Sequence, residues 1–482
     1  ITAEAAFNPD FSQVESDAAQ IDVNTPYALS YAEKRPFFLE GSDLFNTIFR
    51  TVYTRSINAR LFALKVTGRP GRTQLAALVA RDEQTPVIVP FAEQSTLAET
   101  GRSTSTIVRL RREMGERSHL GVIGTDRRYD GGGGSTLFGL DGRWGFAKQY
   151  EVYGQVLGTH TDEPNDTTMT PRVNGLCFER GRHTAAFDGE EFWGHAACLG
   201  VSREGRHLGF DLFGLLRSPT YRADNGFQER NDQRQLQVQA SWAFYEHGPF
   251  TNISPSLNAA RLWDHTGTRK DEWVNFDLSG VLRWAQWNWH ANYLRSDEIY
   301  RGIRFRDIWA WHYCNQLKPA GWLGLGGNIN YGHRIARGPL VMGKQWNGGF
   351  YLDLKPRSNV TIESRVDWIR SDALATPARP DPARLFDGYI ARAKLAVQFS
   401  RALSARLVVQ YDDFDRLWEA DPLVTYRLSP FSIFYVGSTR DYVEYAPDGS
   451  PFDEDAELAG LDPTWRLAQR QYFLKLQYLF QM

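Results

Sequence analysis

The feature that most restricts the fold of this chain is an alternation of apolar and polar side chains at every second residue, repeated along most of its length. In the stretch 387–400, DGYIARAKLAVQFS, apolar side chains occupy every second position, and Arg392 and Lys394 fall between them. The stretches 235–244 and 360–368 alternate in the same way. Because successive side chains of a strand point to opposite faces of its sheet, this pattern predicts an antiparallel β-protein with one apolar face.

Alternation alone does not separate a soluble β-sandwich from a membrane barrel, but the connections between strands do. Short connections are predicted near 114–117, 146–149, 203–204, 247–250, 285–286, 317–320, 355–357, 400–402 and 429–430. Between them fall long or polar ones near 82–103, 129–134, 162–182, 218–233, 265–272, 299–304, 334–343, 370–387, 415–421 and 440–468. Short turns at one end and long loops at the other are typical of outer-membrane barrels, whereas a sandwich has no reason to keep this parity.

The strand lengths and number also favour a membrane barrel. The segments between connections have lengths close to the roughly 9–11 residues that a tilted strand needs to cross a bilayer. With a first strand near 2–8, the count is roughly 22 strands, within a range of about 18–24, and bacterial barrels have even numbers. We therefore predict one all-β domain over 1–482, an antiparallel transmembrane β-barrel in the outer membrane of a Gram-negative-type bacterium.

The composition agrees with a barrel and excludes other classes. No apolar run approaches the roughly 18–20 residues of a transmembrane helix. The chain has 15 Trp, 21 Tyr and 29 Phe against 4 Met, which fits aromatic girdles at two membrane interfaces, although a sugar-stacking platform would also be aromatic. Its 55 Lys and Arg against 57 Asp and Glu give no basic patch, so no nucleic-acid partner is predicted.

The C-terminal stretch 470–482 resembles the assembly signal of outer-membrane proteins, an aromatic-rich last strand ending near a Phe. Its candidate residues share one face of the strand: Tyr472, Leu474, Leu476, Tyr478 and Phe480. The alternative is an ordinary edge strand. This signal implies the barrel-assembly machinery as a partner during biogenesis, beside the lipid bilayer and lipopolysaccharide. No signal peptide is recognised, and we expect an exported precursor.

Residues 9–56 break the alternating pattern, being charged and too long for a turn. Long irregular segments tend to be functional or disordered, and a barrel of this size has a wide lumen to fill. We predict that much of 9–56 folds into the lumen as a plug or constriction; the alternative is an ordinary loop. The candidate plug residues are Asp10, Glu15, Glu33, Lys34, Arg35 and Glu40. The polar faces of the strands supply candidate lumen-lining residues: Arg283, His290, Glu363, Arg365, Asp367, Arg392, Lys394, Arg406 and Lys475.

Several short motifs resemble one family. FNPDFSQVE spans 7–15, EKRPFFLEG spans 33–41, and shorter matches such as GLDGRW at 139–144 and NGFQERND at 225–232 extend over the chain. Together they resemble a family of bacterial outer-membrane barrel domains of unknown function, which often follow a module related to family-9 carbohydrate-binding modules. The resemblance implies a barrel and carries no catalytic residues. No such module is recognised in this sequence, so the resemblance implies no link to sugars here.

No pattern of residues identifies catalytic chemistry or a cofactor. The carboxylates of Asp10, Glu15, Glu33 and Glu40 could form a glycosidase-like pair, but pairing with Lys34, Arg35 or lumen arginines is the simpler interpretation. Acidic residues of the loop 448–462 are weak Ca²⁺ candidates: Asp453, Asp455 and Glu457. The glycines at 131–134 lack the lysine of a phosphate loop, and the histidines are scattered. Cys177 and Cys198 could be bridged in an oxidising compartment, or Cys198 could be packed in its strand.

Three functions follow, in order of preference. The first is a channel, transport or export-associated protein of unknown substrate. The second is a structural or scaffold component of an envelope assembly with protein partners. A carbohydrate-active hydrolase is disfavoured, because no site for one is visible, and we expect no enzymatic activity. A TonB-type transporter is also disfavoured, since no separate globular plug domain is recognised upstream of the strands.

Overall fold

A computed structural model describes residues 1–7, 19–57, 60–171, 173, 175–375, 383–429, 432–447, 450, 452 and 462–477. Antiparallel strands follow one another around a single wall. Its strands are β1 (Thr2–Phe7), β2 (Arg60–Gly68), β3 (Thr73–Asp82), β6 (Ser103–Glu113), β7 (His119–Tyr129), β8 (Gly134–Phe146), β9 (Tyr150–Asp162), β12 (Glu191–Glu204), β13 (Leu208–Arg217), β14 (Gln233–Trp242), β15 (Phe244–His247), β16 (Phe250–Trp263), β17 (Arg269–Leu282), β18 (Trp287–Tyr300), β19 (Ile303–Ala320), β20 (Leu323–Ala336), β21 (Val341–Arg357), β22 (Val360–Ala373), β23 (Arg384–Gln398), β24 (Leu403–Asp412), β25 (Leu417–Ser429), β26 (Ser432–Tyr445) and β27 (Thr464–Gln477).

The remaining elements are small and lie outside this wall. Two hairpins, β4 (Pro86–Pro90) with β5 (Ser95–Glu99) and β10 (Cys177–Phe178) with β11 (His183–Thr184), belong to loops. One short helix, α1, spans Pro36–Leu39. Single 3₁₀ turns occur at Ser42–Phe45, Thr54–Ser56, Thr167–Met169, Glu179–Gly181 and Trp284–Gln286. Within the described ranges, no helix has the length and apolarity that a bilayer-crossing helix requires.

The strand count agrees with the prediction from the sequence. The large sheet has 23 strands, of which β14 and β15 both pair with β16 and so form one interrupted strand, leaving 22 positions in the wall. Each strand pairs antiparallel with the next strand of the wall along the chain, from β1–β2 to β26–β27. The predicted barrel class and its strand number are therefore confirmed.

The predicted parity of the connections is also present, with small shifts. Short turns such as 147–149 and 321–322 alternate with longer connections such as 163–190 and 218–232. Some connections predicted to be long are tight: β18 and β19 are separated only by Arg301 and Gly302. There the paired strands continue beyond the length that a bilayer needs, because each added residue pair continues the ladder.

The outward face of the wall is apolar and carries two aromatic belts. Between the belts, exposed side chains include Leu199, Leu212, Leu236, Val274, Phe276, Leu395 and Val424. The belt at the short-turn end contains Trp144, Phe146, Trp242, Phe244, Trp284, Trp322 and Phe399. The belt towards the long-loop end contains Trp193, Trp311, Trp346, Tyr389, Trp418 and Trp465. An apolar zone between aromatic girdles is the exterior of a transmembrane barrel, so the apolar faces of these strands meet acyl chains.

The inner face of the wall differs between its two halves. On β3 and β6–β9 the inward face carries a buried apolar layer, with buried polar side chains such as Arg109, Arg127 and Gln155 beside it. The layer consists of Ala76, Leu78, Ala80, Ile107, Ile123, Leu137 and Leu157. They pack against side chains of the N-terminal segment, Phe38, Phe45, Phe49 and Ile57, in two neighbouring clusters. The alternation rule therefore fails for strands such as β3, which is apolar on both faces because part of the chain lies against its inner side.

Three of the long loops fold together above this filled half of the lumen. Their apolar contacts join the hairpin β4–β5 to the loop between β9 and β12 and consist of Val89, Phe91, Ala98, Val173, Ala185 and Phe187. Asn231, from the loop between β14 and the preceding strand, donates from Nδ2 to the carbonyl of Pro90 at 2.8 Å. Arg222 of that loop also forms a buried ion pair with Glu163, 2.6 Å apart. We call this structure the loop cap.

Candidate functional site

The segment 19–57 is held together by one buried ion pair. Arg35 donates from Nη2 to Glu33 Oε2 at 2.6 Å, and its guanidinium also donates to the backbone carbonyls of Thr54 and Ile57. Burial alone would raise the pKa of the Glu33 carboxyl, but hydrogen bonds and charge from Arg35, with a hydrogen bond from Thr54, hold that pKa below its ordinary value. The pair therefore ties the two halves of the segment together as charged groups.

Lys65 of β2 attaches the segment to the wall near the short-turn end. Its ammonium group, almost completely buried, donates to the backbone carbonyls of Phe37 and Glu40, the latter at 2.7 Å. It also lies 3.0 Å from the carboxylate of Glu4 on β1. Glu40 was predicted as a plug residue, but its side chain is exposed. Only its backbone carbonyl takes part in the contact with Lys65.

Further contacts attach the segment around the lumen. The Phe49 amide donates to Gln155 Oε1 at 2.9 Å, and Arg127 Nη2 donates to Ser56 Oγ at 3.1 Å. On the opposite wall, the Ala19 amide donates to Gln410 Oε1 at 3.1 Å. The segment thus contacts β7, β9 and β24 and crosses the interior of the barrel.

The part of the lumen that the segment leaves unfilled carries many neutral amides. The inward residues of β14 and β16–β21 include Gln235, Gln237, Gln239, Asn258, Asn275, Asn292, Asn328, Asn330, Gln345 and Asn347. Several bond to one another, as where Gln235 Nε2 donates to Gln237 Oε1 at 2.8 Å. We call this surface the amide wall. This surface was not predicted, because its amides come from separate strands whose neighbours a sequence does not give.

Three cavities lie along this side of the lumen. One of about 650 Å³ separates residues 19–34 of the segment from β20–β24 and is lined by four of the predicted residues, Lys34, Arg365, Asp367 and Arg392. One of about 370 Å³ adjoins His290 and Asn328, and one of about 460 Å³ lies beside Tyr27 and Asn292. A further concavity of about 930 Å³ is lined by outward side chains such as Leu199 and Leu236 and therefore faces lipid.

The charged residues predicted to line the lumen are mostly engaged with neighbours. Arg365 donates to Asp367 on the same strand, with Nη2–Oδ1 at 2.9 Å, and Lys394 pairs with Glu363 across two strands at 3.1 Å. Arg406 and Lys475 lie on the inward register of β24 and β27. Arg283 differs: it precedes the turn Trp284–Gln286 and pairs with Glu246 there, because its strand has already ended.

One group of potential metal ligands was missed in the sequence. His290 of β18 lies directly opposite Cys314 of β19, and His312 lies two residues before Cys314 on the same inward face. Their ligand atoms are within 4.8 Å of one another. Only strand pairing brings these residues together, although the spacing His312-x-Cys314 already placed two ligands on one face. A second group within the described residues, Glu163, Asp188 and Glu190, belongs to the loop cap.

The remaining predicted residues include those of the C-terminal signal and the two cysteines. Tyr472, Leu474 and Leu476 are exposed on the outward face of β27. Cys177 and Cys198 are free thiols, the former exposed and the latter buried, so the disulfide is not formed. The following predicted residues lie outside the described ranges: Asp10, Glu15, Tyr478, Phe480, Asp453, Asp455 and Glu457.

Comparison with known proteins agrees with this geometry. Residues 1–65 match the model of a family described as a domain of unknown function (DUF5916). No curated protein matches the chain. Among solved structures, the copper transporter OprC is similar with a TM-score of 0.52 at 9% identity, covering 88% of this chain and 78% of that chain. A mutant of the ferric enterobactin receptor (PfeA) of Pseudomonas aeruginosa, in complex with enterobactin, gives a TM-score of 0.51 at 8% identity, covering 87% and 79%.

The fold is that of outer-membrane receptor barrels. At 8–9% identity the similarity concerns the fold, and the ligands named for these two proteins differ from each other. The family-model match supports the predicted barrel family of unknown function, while the link to a carbohydrate-binding module stays a prediction.

Proposed function

We propose that this protein is an outer-membrane transport barrel in which residues 19–57 form a constriction and the amide wall forms the passage for a neutral, hydroxyl-rich solute such as a sugar. The observation that carries the proposal is the unequal interior. One half carries a buried apolar layer that the segment covers, while the other half is polar and borders three cavities. A barrel that served only as an anchor would not need this polar side.

The chemistry of the passage favours uncharged cargo. Amide side chains donate and accept hydrogen bonds without a net charge, so they can replace water around hydroxyl groups along a path. The charged pairs Arg365–Asp367 and Glu363–Lys394 are neutralised within the wall. Glu33, one of the carboxylates considered for catalysis, is engaged by Arg35, which supports a transport role over a catalytic one.

The proposal is tested by reconstituting the full chain into liposomes and planar bilayers. We expect small conductance steps and faster entry of a neutral hexose than of a charged hexose derivative of similar size. The double variant Asn328→Leu, Asn347→Leu, which removes two amides lining the 650 Å³ cavity, should slow sugar entry several-fold. Ile390→Leu, at an apolar position of the same cavity, is the matched control and should not.

A scaffold role is the second candidate, favoured by the loop cap, whose buried ion pair and apolar contacts give a rigid outer surface. A folded barrel that conducts no ions and passes no sugar in both assays would reject transport and favour the scaffold. Proteins that co-purify with the wild-type chain but not with variants of the loop cap would then identify the assembly.

A further inference from the structure

The residues of the amide wall include a cluster whose chemistry differs from that of its neighbours. His290 lies with its Nδ1 3.9 Å from Cys314 Sγ, and the rings of His290 and His312 are 5.6 Å apart. All three side chains are half-buried and point inward from adjacent strands. A thiol and two imidazoles within one such space are the donor set that proteins use for zinc and copper.

Both imidazoles are oriented by a hydrogen bond on one ring nitrogen, which leaves the other nitrogen to coordinate. His290 Nε2 bonds to Asp277 Oδ1 at 2.8 Å, which leaves the lone pair of Nδ1 towards Cys314. His312 Nδ1 bonds to Asn330 Oδ1 at 2.6 Å, which leaves Nε2 to coordinate. A carboxylate or carbonyl behind each histidine is the usual second layer of a metal site, because it sets the tautomer and raises the basicity of the ligand.

The Asp277 carboxylate is itself held in place. Asn292 Nδ2 donates to its Oδ1 at 2.9 Å, and Asn275 Nδ2 donates to its Oδ2 at 2.9 Å. A network that holds one carboxylate against one imidazole exceeds what a water-filled wall requires. The network therefore fixes the orientation of the His290 ring.

We propose that His290, His312 and Cys314 form a three-ligand site for a thiophilic transition-metal ion of the Zn²⁺ or Cu⁺ class. Zinc–ligand bonds of about 2.0–2.3 Å place ligand atoms about 3.5 Å apart. Movements of the three ligand atoms by about 1 Å therefore bring them within bonding distance of one ion. On binding, the Cys314 thiol releases its proton to solvent and the thiolate coordinates the ion. This site lies on one of the three cavities beside the proposed sugar passage, but metal binding can be measured without any transport.

The fourth coordination position opens to the lumen. The cavity of about 370 Å³ is lined by His290 and Cys314 together with Asn315, Asn328 and Tyr351. Three protein ligands with an open position are typical of sites that exchange their ion or bind a further ligand, whereas structural zinc sites are closed by four. The ion is thus accessible from the lumen.

The test uses the full chain in detergent, carrying Cys177→Ser and Cys198→Ala so that Cys314 is the only thiol. Titration with Co²⁺ should give about one bound ion per chain with a thiolate-to-metal charge-transfer absorbance, and Zn²⁺ should displace it. His290→Asn and His312→Asn should each weaken binding at least 10-fold, and Asp277→Asn by roughly 10–100-fold. The control His333→Asn, on the outward face of β20, should leave binding unchanged.

Folding of every variant is checked by its mobility on gels before and after heating. If the folded Cys314-only protein shows no charge-transfer absorbance, the site does not exist. If the absorbance persists with equal affinity in the His290→Asn, His312→Asn double variant, Cys314 binds adventitiously and the proposal is overturned. Binding at Glu163, Asp188 and Glu190 would give no such absorbance, because that group has no sulfur.

Discussion

Single residues decide how firmly the segment 19–57 is held. Arg35 bonds to one carboxylate and two backbone carbonyls; Arg35 is buried and its partner Glu33 is largely so. Its presence in a segment that breaks the alternating pattern could be noted in the sequence. Its partners could not be identified there, because Thr54 and Ile57 are brought close only by the path of the segment.

Replacing Arg35 should loosen the segment. Arg35→Met leaves the Glu33 carboxylate buried without its cation, and losing one partner of a buried pair costs about 3–5 kcal/mol. We expect proteolysis within 19–57 of the intact barrel and larger conductance steps. Arg69→Met, which breaks an exposed pair with Asp43, should change the stability by about 1 kcal/mol or less and leave both measurements as in the wild type. Equal behaviour of the two variants would contradict this role.

Acidification should open the same contact. A carboxyl whose folded-state pKa is depressed stabilises the fold above its unfolded pKa, and this stability is lost as the pH falls through the depressed value. Conductance of the wild type, recorded from neutral pH downwards, should therefore rise below about pH 4. Glu33→Gln should have raised conductance already at neutral pH and a smaller further rise, whereas an unchanged pH profile would exclude Glu33 as the responsible group.

At the scale of strands, the sequence predicted most of the wall because alternation and connection length are local properties. It failed for β3, where Ala76, Leu78 and Ala80 make most of the inner face apolar. Two apolar faces in one strand of a membrane barrel mean that something other than water covers the inside. This signal is visible in the sequence QLAALVA of 74–80 and would have indicated where the segment packs.

A charge placed on the outward face of a strand should prevent membrane insertion. Leu236 of β14 is exposed between the aromatic belts, so Leu236→Arg should cost about 2–4 kcal/mol of stability in the bilayer. Gln239→Arg, three residues along on the inward face, should be tolerated. The folded fraction in the membrane, measured by heat-dependent gel mobility, distinguishes the two, and equal loss in both variants would contradict the assigned orientation.

At the scale of the whole molecule, the barrel, its strand number and the parity of its connections were predictable, whereas the contents of the lumen were not. The amide wall and the His290, His312, Cys314 cluster depend on which strands are neighbours and in what register. The loop cap depends on contacts between loops far apart in sequence. Such contacts leave no periodic signal in a single chain.

Removing the segment should convert the barrel into a wide pore. Phe7 of β1 and Phe62 of β2 are direct partners, so a two-residue Asn-Gly turn can replace residues 8–61 and join the strands as a tight hairpin. We expect conductance to rise several-fold and the folded barrel to become less heat-stable, since Ile107, Leu137 and Leu157 lose their cover. Unchanged conductance would show that the segment does not limit the passage.

The pairing of β1 with β2 also decides how the interior can rearrange. Both strands join the intervening chain at the rim where the long loops lie. The segment between them is therefore a loop anchored at both ends to the same rim. A force that pulls the segment towards the opposite rim must extend both of its ends at once, and the β1–β2 pairing bears that force. We therefore expect the passage to open by a sideways shift of the segment across the lumen and not by pulling the segment out of the barrel. The cavities beside the amide wall are the space into which the segment can move.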